Sequence, residues 1–334
     1  MHEPPLITVG LTTYDRLEML RDAIDSIIKQ DYQSFKVLIG NDCQDTPVSF
    51  EILGIEPDAR IEIINHKENL GELNNQNFLL SISDSEWFIW LADDDVLHPE
   101  FLSKMIGLVS DDTSMPVAAA FTNYATGASI PESFYAPARL TEASYYSTSE
   151  FVKSYVSKQI HLIGCYGLMR TKLLKAISGI PRLGEPFSFY SDTLLPILLA
   201  EHGAIIWLDY PLIFLRTHAA SNSMHTSELE AYTSAEVKFV KYLEELCLGN
   251  QQELNSGNCI LPMLRWFANN EFKVLLRDES LSSIGVVLKF LNHQICVNFP
   301  LLEKKNWFDF FMFIVQKVLR FIFSKIKNKL VGSR

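Results

Sequence analysis

Trp87-Phe88-Ile89-Trp90-Leu91-Ala92-Asp93-Asp94-Asp95 is an apolar run that ends abruptly in three carboxylates. Five large apolar residues bounded by polar ones read as a strand buried on both faces, the pattern of a parallel sheet. Working outward, Leu6 to Thr12 repeats the pattern and runs into the polar turn Thr13-Tyr14-Asp15-Arg16. Leu17, Leu20, Ile24, Ile27 and Ile28 then recur at helical spacing. Phe35 to Gly40 is a further strand ending in Asn41-Asp42, and Ile61 to Ile64 another, followed by the turn Asn69-Leu70-Gly71 and a helix through Leu80. After the acidic run a helix is expected near Pro99, because proline suits a first helical turn. Strands alternating with helices predict an α/β fold, a mostly parallel, doubly wound sheet. Such sheets bind ligands at the carboxyl ends of their strands, where Asp15, Asp42 and Asp93 to Asp95 all fall.

The later chain is less regular. Gly127 to Ser149 reads as a long loop, Leu162 to Met169 as a strand interrupted by two glycines, and Arg170 to Ile177 as a helix. Thr193 to Ala200 is expected to be helical, Ala204 to Leu208 and Leu212 to Leu215 to be strands, and everything from about Ser227 onward to be helical. The expected organisation is a catalytic domain over 1–225, its first half ending near 122, then a helical region over 226–306 and a basic amphipathic tail over 307–334. A net charge of −11 argues against nucleic acid as a partner, since binding it requires a basic surface. Cys43, Cys165, Cys247, Cys259 and Cys296 form no CxxC pair, so reduced thiols in a cytoplasmic protein are expected. The start, Met-His-Glu-Pro-Pro, lacks the basic and apolar regions of a secretory signal.

Adjacent carboxylates repel, so Asp93 to Asp95 must be solvated, cap the following helix or be neutralised by a cation. Mg²⁺ and similar hard ions take one or two carboxylates together with substrate phosphates.

The succession from Thr8-Val9-Gly10-Leu11-Thr12-Thr13-Tyr14-Asp15-Arg16 through Asn41-Asp42 and Asn69-Leu70-Gly71 to Leu91-Ala92-Asp93-Asp94-Asp95 with Pro99 resembles the family 2 glycosyltransferases of the GT-A fold. The resemblance spans about residues 6 to 220. It departs from the family pattern at Thr12 and Asp15, which replace a proline and an asparagine, and at Ala92, which replaces the first acid of the acidic motif. It implies an inverting transfer of sugar from a nucleotide-diphosphate donor to a hydroxyl of a glycan or lipid-linked acceptor, dependent on Mg²⁺ or Mn²⁺. It also implies that Thr12, Tyr14 and Arg16 line the nucleotide pocket, that Asp42 contacts the base and that Asn69 and Gly71 shape the donor site. Asp94 is then a metal ligand, and Asp93 faces the ribose or the metal. In the second half, Tyr190-Ser191-Asp192 stands where the family carries a glutamate–aspartate pair, which makes Asp192 the candidate base. The alternative for Asp192 is a helix cap. Arg216-Thr217-His218 resembles an arginine-x-histidine segment whose imidazole completes a metal shell or contacts the diphosphate, whereas a plain surface histidine is the bland reading. Two rivals are a sugar nucleotidyltransferase and a non-catalytic nucleotide-sugar or glycan-binding protein.

The tail from Trp307 carries six basic residues and one acid among its aromatics. Its apolar core, Phe310 to Val315, is too short to span a bilayer, which takes about 20 residues. The pattern, with Lys317, Arg320, Lys325, Lys327 and Lys329 among its cations, suits a helix lying in a membrane surface, so a peripheral position on the inner face of the membrane is expected. The alternative is a helix packed against the protein.

Overall fold

A computed structural model describes residues 6–110, 116–138, 142–184, 189–218, 229–249, 260–277, 290–294 and 304–331. They belong to two compact units, one of Met1–Val152, Ile160–Arg182 and Ser191–Ala219, the other of Lys153–Gln159, Leu183–Tyr190 and Ala220–Arg334.

In the first unit β1 (Ile7–Thr13) lies between β2 (Phe35–Asn41) and β4 (Trp87–Ala92), and β3 (Ile61–Asn65) pairs on the far side of β2. These four strands are parallel to one another along the sheet. Thr12 lies level with Gly40 and Ala92, and Thr13 with Asn41. That register brings the carboxyl ends of three strands to one edge, and the turns that leave them carry the polar residues. Val9, Leu11, Val37, Ile39, Phe88 and Trp90 are fully buried, as expected for strands covered on both faces. The amphipathic α1 (Leu17–Ile28) buries Leu20, Ala23, Ile24 and Ile27.

The mixed half of the sheet continues from β4 through β8 (Leu168–Arg170), β6 (Val117–Gly127) and β9 (Ala204–Arg216) to β5 (Val96–Leu97), with β7 (Ala143–Tyr146) also paired to β9. Here the structure corrects several expectations. Val117–Gly127 is a strand that the alanine-rich sequence does not advertise, since alanine has no β preference. The expected loop over Gly127 to Ser149 contains a 3₁₀ turn at Glu132–Tyr135 and β7. The two strands expected between Ala204 and Leu215 are one, kept continuous by irregular pairing to β6 near Asn123. Of Leu162 to Met169 only the end is strand, because its glycines serve close packing: a Cβ on Gly164 would collide with the backbone of Asp192, and one on Gly167 with the Phe121 ring.

Helices of the first unit are α2 (Phe50–Leu53), α3 (Glu72–Ile82), α4 (Phe101–Ser110), α5 (Thr148–Val156, shared with the second unit), α6 (Thr171–Ala176) and α7 (Ser191–Ala200). The close approach of α3 to β2 is made by Gly40, where any Cβ would strike Asn75, and Asn75 Nδ2 donates to the Gly40 carbonyl at 2.8 Å.

The second unit is helical, with α8 (Leu229–Gly249), α9 (Ile260–Arg277), a helical segment at 290–294 and α10 (Lys304–Val331). Phe239, Leu264, Phe267, Phe290, Phe310 and Ile314 are among its buried apolar residues. In α10, Phe310 and Ile314 are buried while Trp307, Phe308, Phe311 and Met312 are exposed, Phe308 to 70%. The side chains of Arg320, Lys325, Lys327 and Lys329 lie outside the described residues. Among the described residues no helix is long and apolar enough to cross a membrane. Cys43 and Cys165 are buried free thiols, and the other three cysteine side chains fall outside the described residues.

Candidate active site

Asp93 and Asp94 form the turn that leaves β4, and Asp95 leads into β5. None of the three is a solvated carboxylate: the Asp93 side chain is fully buried, Asp94 is 14% exposed, and Asp95 is buried. Burial of three like charges requires compensation. Thr13 Oγ1 donates to Asp93 Oδ2 at 2.6 Å, and the Tyr14 N–H donates to the same oxygen at 3.4 Å. Arg16 reaches back from the start of α1 and places Nη2 2.7 Å from Asp93 Oδ1 and Nη1 3.0 Å from Asp94 Oδ2. Burial still dominates at Asp93 and raises its pKa to about 6, despite the Arg16 charge and the Thr13 hydroxyl.

Asp95 is held from the other direction. Tyr166, from the turn before β8, donates its hydroxyl to Asp95 Oδ2 at 2.6 Å and accepts the Ala92 N–H at 3.3 Å. The backbone N–H of Arg216, at the end of β9, donates to Asp95 Oδ1 at 3.0 Å, and the Arg216 Nε donates to the Asp94 carbonyl. Burial, and then the neighbouring Asp94, raise the Asp95 pKa to about 6. Two residues past β9, His218 Nε2 lies 3.0 Å from Asp94 Oδ2. Three carboxylates therefore meet one guanidinium group, one imidazole and one backbone N–H, drawn from segments more than 190 residues apart in the chain, while the Arg216 guanidinium pairs with Asp22 at 2.7 Å.

The remaining candidates sit around this corner in different ways. Thr12 lies within β1 between Gly40 and Ala92, and the Tyr14 ring is 52% exposed beside it. Asp15 takes a left-handed backbone (φ 54°), which asparagine and aspartate tolerate best among non-glycine residues, and its Oδ1 accepts from Thr46 Oγ1. Asp42 is buried, accepting the Leu70 N–H on Oδ1 at 3.0 Å and giving its own N–H to the Thr13 carbonyl. It thereby ties the Asn69-Leu70-Gly71 turn to the end of β1. Asn69 spends its Oδ1 on the Gly71 N–H at 2.8 Å, and Gly71 has the positive φ of 78° that glycine supplies without strain. Asp192 is exposed in the first turn of α7, where its carboxylate suits the helix dipole. Its backbone packs on Gly164, next to Cys165, whose carbonyl accepts the Trp90 N–H of β4. One short segment, 163–166, thus connects the start of α7 with β4 and with Asp95.

Thr13, Tyr166 and the side chain of Arg216 are members of this cluster that the sequence reading did not single out. Arg216 was visible within the arginine-x-histidine segment, whereas nothing local distinguishes Tyr166.

Residues 8–178 match the model of the family described as Glycosyl transferase family 2. The chain belongs to this family. It has a GT-A-type fold followed by a helical region. An uncharacterized glycosyltransferase of Haemophilus influenzae is 30% identical over 107 residues, 32% of this chain and 33% of that one. A second one from the same organism is 19% identical over 310 residues, 90% of this chain and 100% of that one. Two relatives from Rickettsia felis and Rickettsia bellii are matched over only 17% and 15% of their length, so the chain spans a third or less of several curated relatives that it resembles. Among solved structures, S. aureus TarS 1-349 in complex with UDP-GlcNAc superposes with a TM-score of 0.60 at 16% identity, over 86% of this chain and 79% of that one.

Proposed function

We propose that the enzyme is a metal-dependent, inverting glycosyltransferase that moves a sugar from a nucleotide-diphosphate donor to a hydroxyl of a glycan or lipid-linked acceptor. The carrying observation is the closure of His218 onto Asp94 across 124 residues of chain. An oxygen donor and a nitrogen donor, both partly accessible, face each other where the acidic turn opens. That donor set fits Mg²⁺ or Mn²⁺, with donor phosphates and water filling the other positions. Asp94 and His218 are the proposed ligands. Asp93, which carries Thr13, Tyr14 and Arg16 on its oxygens, fits better as the residue that fixes the turn and faces the ribose. When bound, the cation would neutralise charge on the departing nucleoside diphosphate.

Around that centre the chain's own residues have separable tasks. Thr12, Tyr14 and Arg16 line the nucleotide pocket, with Asp42 contacting the base through the side of its carboxylate not given to Leu70. Asn69 and Gly71 hold the adjoining turn in shape. Arg16 already bridges Asp93 and Asp94, so it is placed to shift toward donor phosphate as the diphosphate arrives. Asp192 accepts the proton of the acceptor hydroxyl as that oxygen attacks the anomeric carbon from the face opposite the leaving group, which inverts the centre. The UDP-GlcNAc held by the TarS neighbour supports a uridine nucleotide as the first donor to try. The rival nucleotidyltransferase reading lacks the glycine-rich phosphate loop that such chemistry would place after β1, where Tyr14-Asp15-Arg16 stands instead. For the acceptor, the exposed aromatic face of α10 supports a substrate presented at the inner face of the membrane.

Steady-state turnover with a panel of nucleotide sugars tests this assignment. Asp192→Asn is expected to lower kcat about 10²–10⁴-fold with donor KM nearly unchanged. Asp94→Asn, or excess chelator, is expected to abolish donor use with the fold intact by circular dichroism. Full turnover in chelator would refute the metal role, and normal kcat in Asp192→Asn would refute the base.

A further inference from the structure

The second unit holds a group of side chains that glycosyl transfer does not use. Glu236 of α8, Glu271 of α9 and His293 of segment 290–294 each offer a ligand atom, and these atoms all lie within 4.8 Å of one another. Both glutamate side chains are fully buried and the histidine is 16% exposed. Their surroundings are apolar: Phe239 and Phe267 lie on the same helix faces, three residues after Glu236 and four before Glu271, and both are fully buried with rings 5.0 Å apart.

Two carboxylates in such a place need more positive charge than one imidazole can bring. His293 Nε2 lies 2.8 Å from Glu236 Oε2 but 3.6 Å from Glu271 Oε1, too long for a hydrogen bond. Glu271 Oε1 is buried and no hydrogen-bond donor reaches it. The other oxygen of Glu271 is fixed by Gln294, itself fully buried, whose Nε2 donates at 2.7 Å. An oriented carboxylate with one oxygen held from behind and the other left without a donor is the arrangement of a metal ligand with its outer-shell partner. The spacing agrees. A tetrahedral ion with bonds of about 2.0–2.1 Å sets its ligands about 3.3 Å apart, between the two distances seen here.

We propose that Glu236, Glu271 and His293 bind one divalent transition-metal ion of the zinc class, joining α8, α9 and segment 290–294. Two carboxylate oxygens and one imidazole nitrogen favour Zn²⁺ or its first-row neighbours over Mg²⁺ and Ca²⁺, which prefer six or more oxygens. Three protein ligands leave a fourth position for water. Ligands from three separate segments make the ion a tie for a helical unit, so binding it stabilises the fold.

The test uses the full chain, stripped with chelator, loaded with Zn²⁺ alone, desalted and analysed for metal. One retained equivalent is expected in the wild type and in Asp94→Asn, which disables the other candidate site. Glu271→Gln and His293→Gln are expected to retain none, and Gln294→Ala to bind about 10–100-fold more weakly. Co²⁺ added to unmutated protein is expected to give the intense visible bands of a four- or five-coordinate ion, a readout that survives if a variant fails to fold. Retention by Glu271→Gln, loss in Asp94→Asn alone, or a cobalt spectrum that stays that of the hydrated ion would each overturn the proposal.

Discussion

Tyr166 shows how much of the acidic corner depends on one hydroxyl, which serves Asp95 Oδ2 and the Ala92 N–H together. Tyr166→Phe leaves both groups without that partner, so a loss of about 1–3 kcal/mol is expected at neutral pH. The sign of its pH dependence follows from the raised pKa of Asp95, about 6 against an ordinary 3.8. The folded state holds this proton more tightly than the unfolded state does. The carboxyl therefore favours folding most at low pH, and that contribution is lost as pH rises from about 4 to about 6. Since the tyrosine hydroxyl bonds the ionised carboxylate more strongly than the neutral acid, the deficit of Tyr166→Phe should be larger at pH 8 than at pH 5. Urea unfolding of metal-free protein at both pH values measures it, and equal deficits would mean that Asp95 does not titrate in this window. At this scale Asp93, Asp94 and Asp42 were legible in the sequence because carboxylates at strand ends are costly without a task. Tyr166 was not, since its meaning comes from a partner 71 residues away.

Among the elements, the parallel strands β1 to β4 and the amphipathic α1 were legible because period and burial coincide in them. Those that escaped are the alanine-rich β6, the short β5 and the true extent of β8, each defined by neighbours rather than by pattern. Gly164 illustrates the difference. Its place in an apolar run suggests a strand, but its lack of a side chain is what lets the first turn of α7 approach. Gly164→Ala is expected to push that turn away from β4, costing about 1–3 kcal/mol and lowering kcat more than it changes donor KM. Gly107→Ala is the control. It lies exposed in the interior of α4 with nothing within 4 Å of an added Cβ, so a gain of about 0.5–1 kcal/mol is expected. Thermal melting and turnover of the two variants separate packing from propensity, and similar behaviour in both would contradict the packing argument.

For the whole molecule, the sequence anticipated a sheet-based part followed by a helical part and a basic, aromatic end. The structure adds that α10 has two apolar sides, one buried through Phe310 and Ile314, the other exposing Phe308 and Phe311. If the exposed side meets lipid, vesicles with anionic headgroups should bind the full chain and release it as salt is raised. Phe308→Ser with Phe311→Ser should weaken binding at least about tenfold, as two buried aromatic rings contribute about 1.5–3 kcal/mol each, while turnover on a soluble acceptor stays unchanged. Unaltered vesicle binding in the double variant would exclude this face as the contact.

The sequence by itself determined the parallel strands, the acidic turn at their carboxyl ends and the family, because burial period and strand-end chemistry are local properties. The tertiary structure alone decided which charges neutralise which. Arg16, Arg216 and His218 reach the three aspartates only after β1 and β9 have joined the same sheet as β4. Glu236, Glu271 and His293 likewise become a cluster only when their helices pack. Compensation of buried charge acts over a few ångströms, and no spacing along the chain records which residues folding will bring that close.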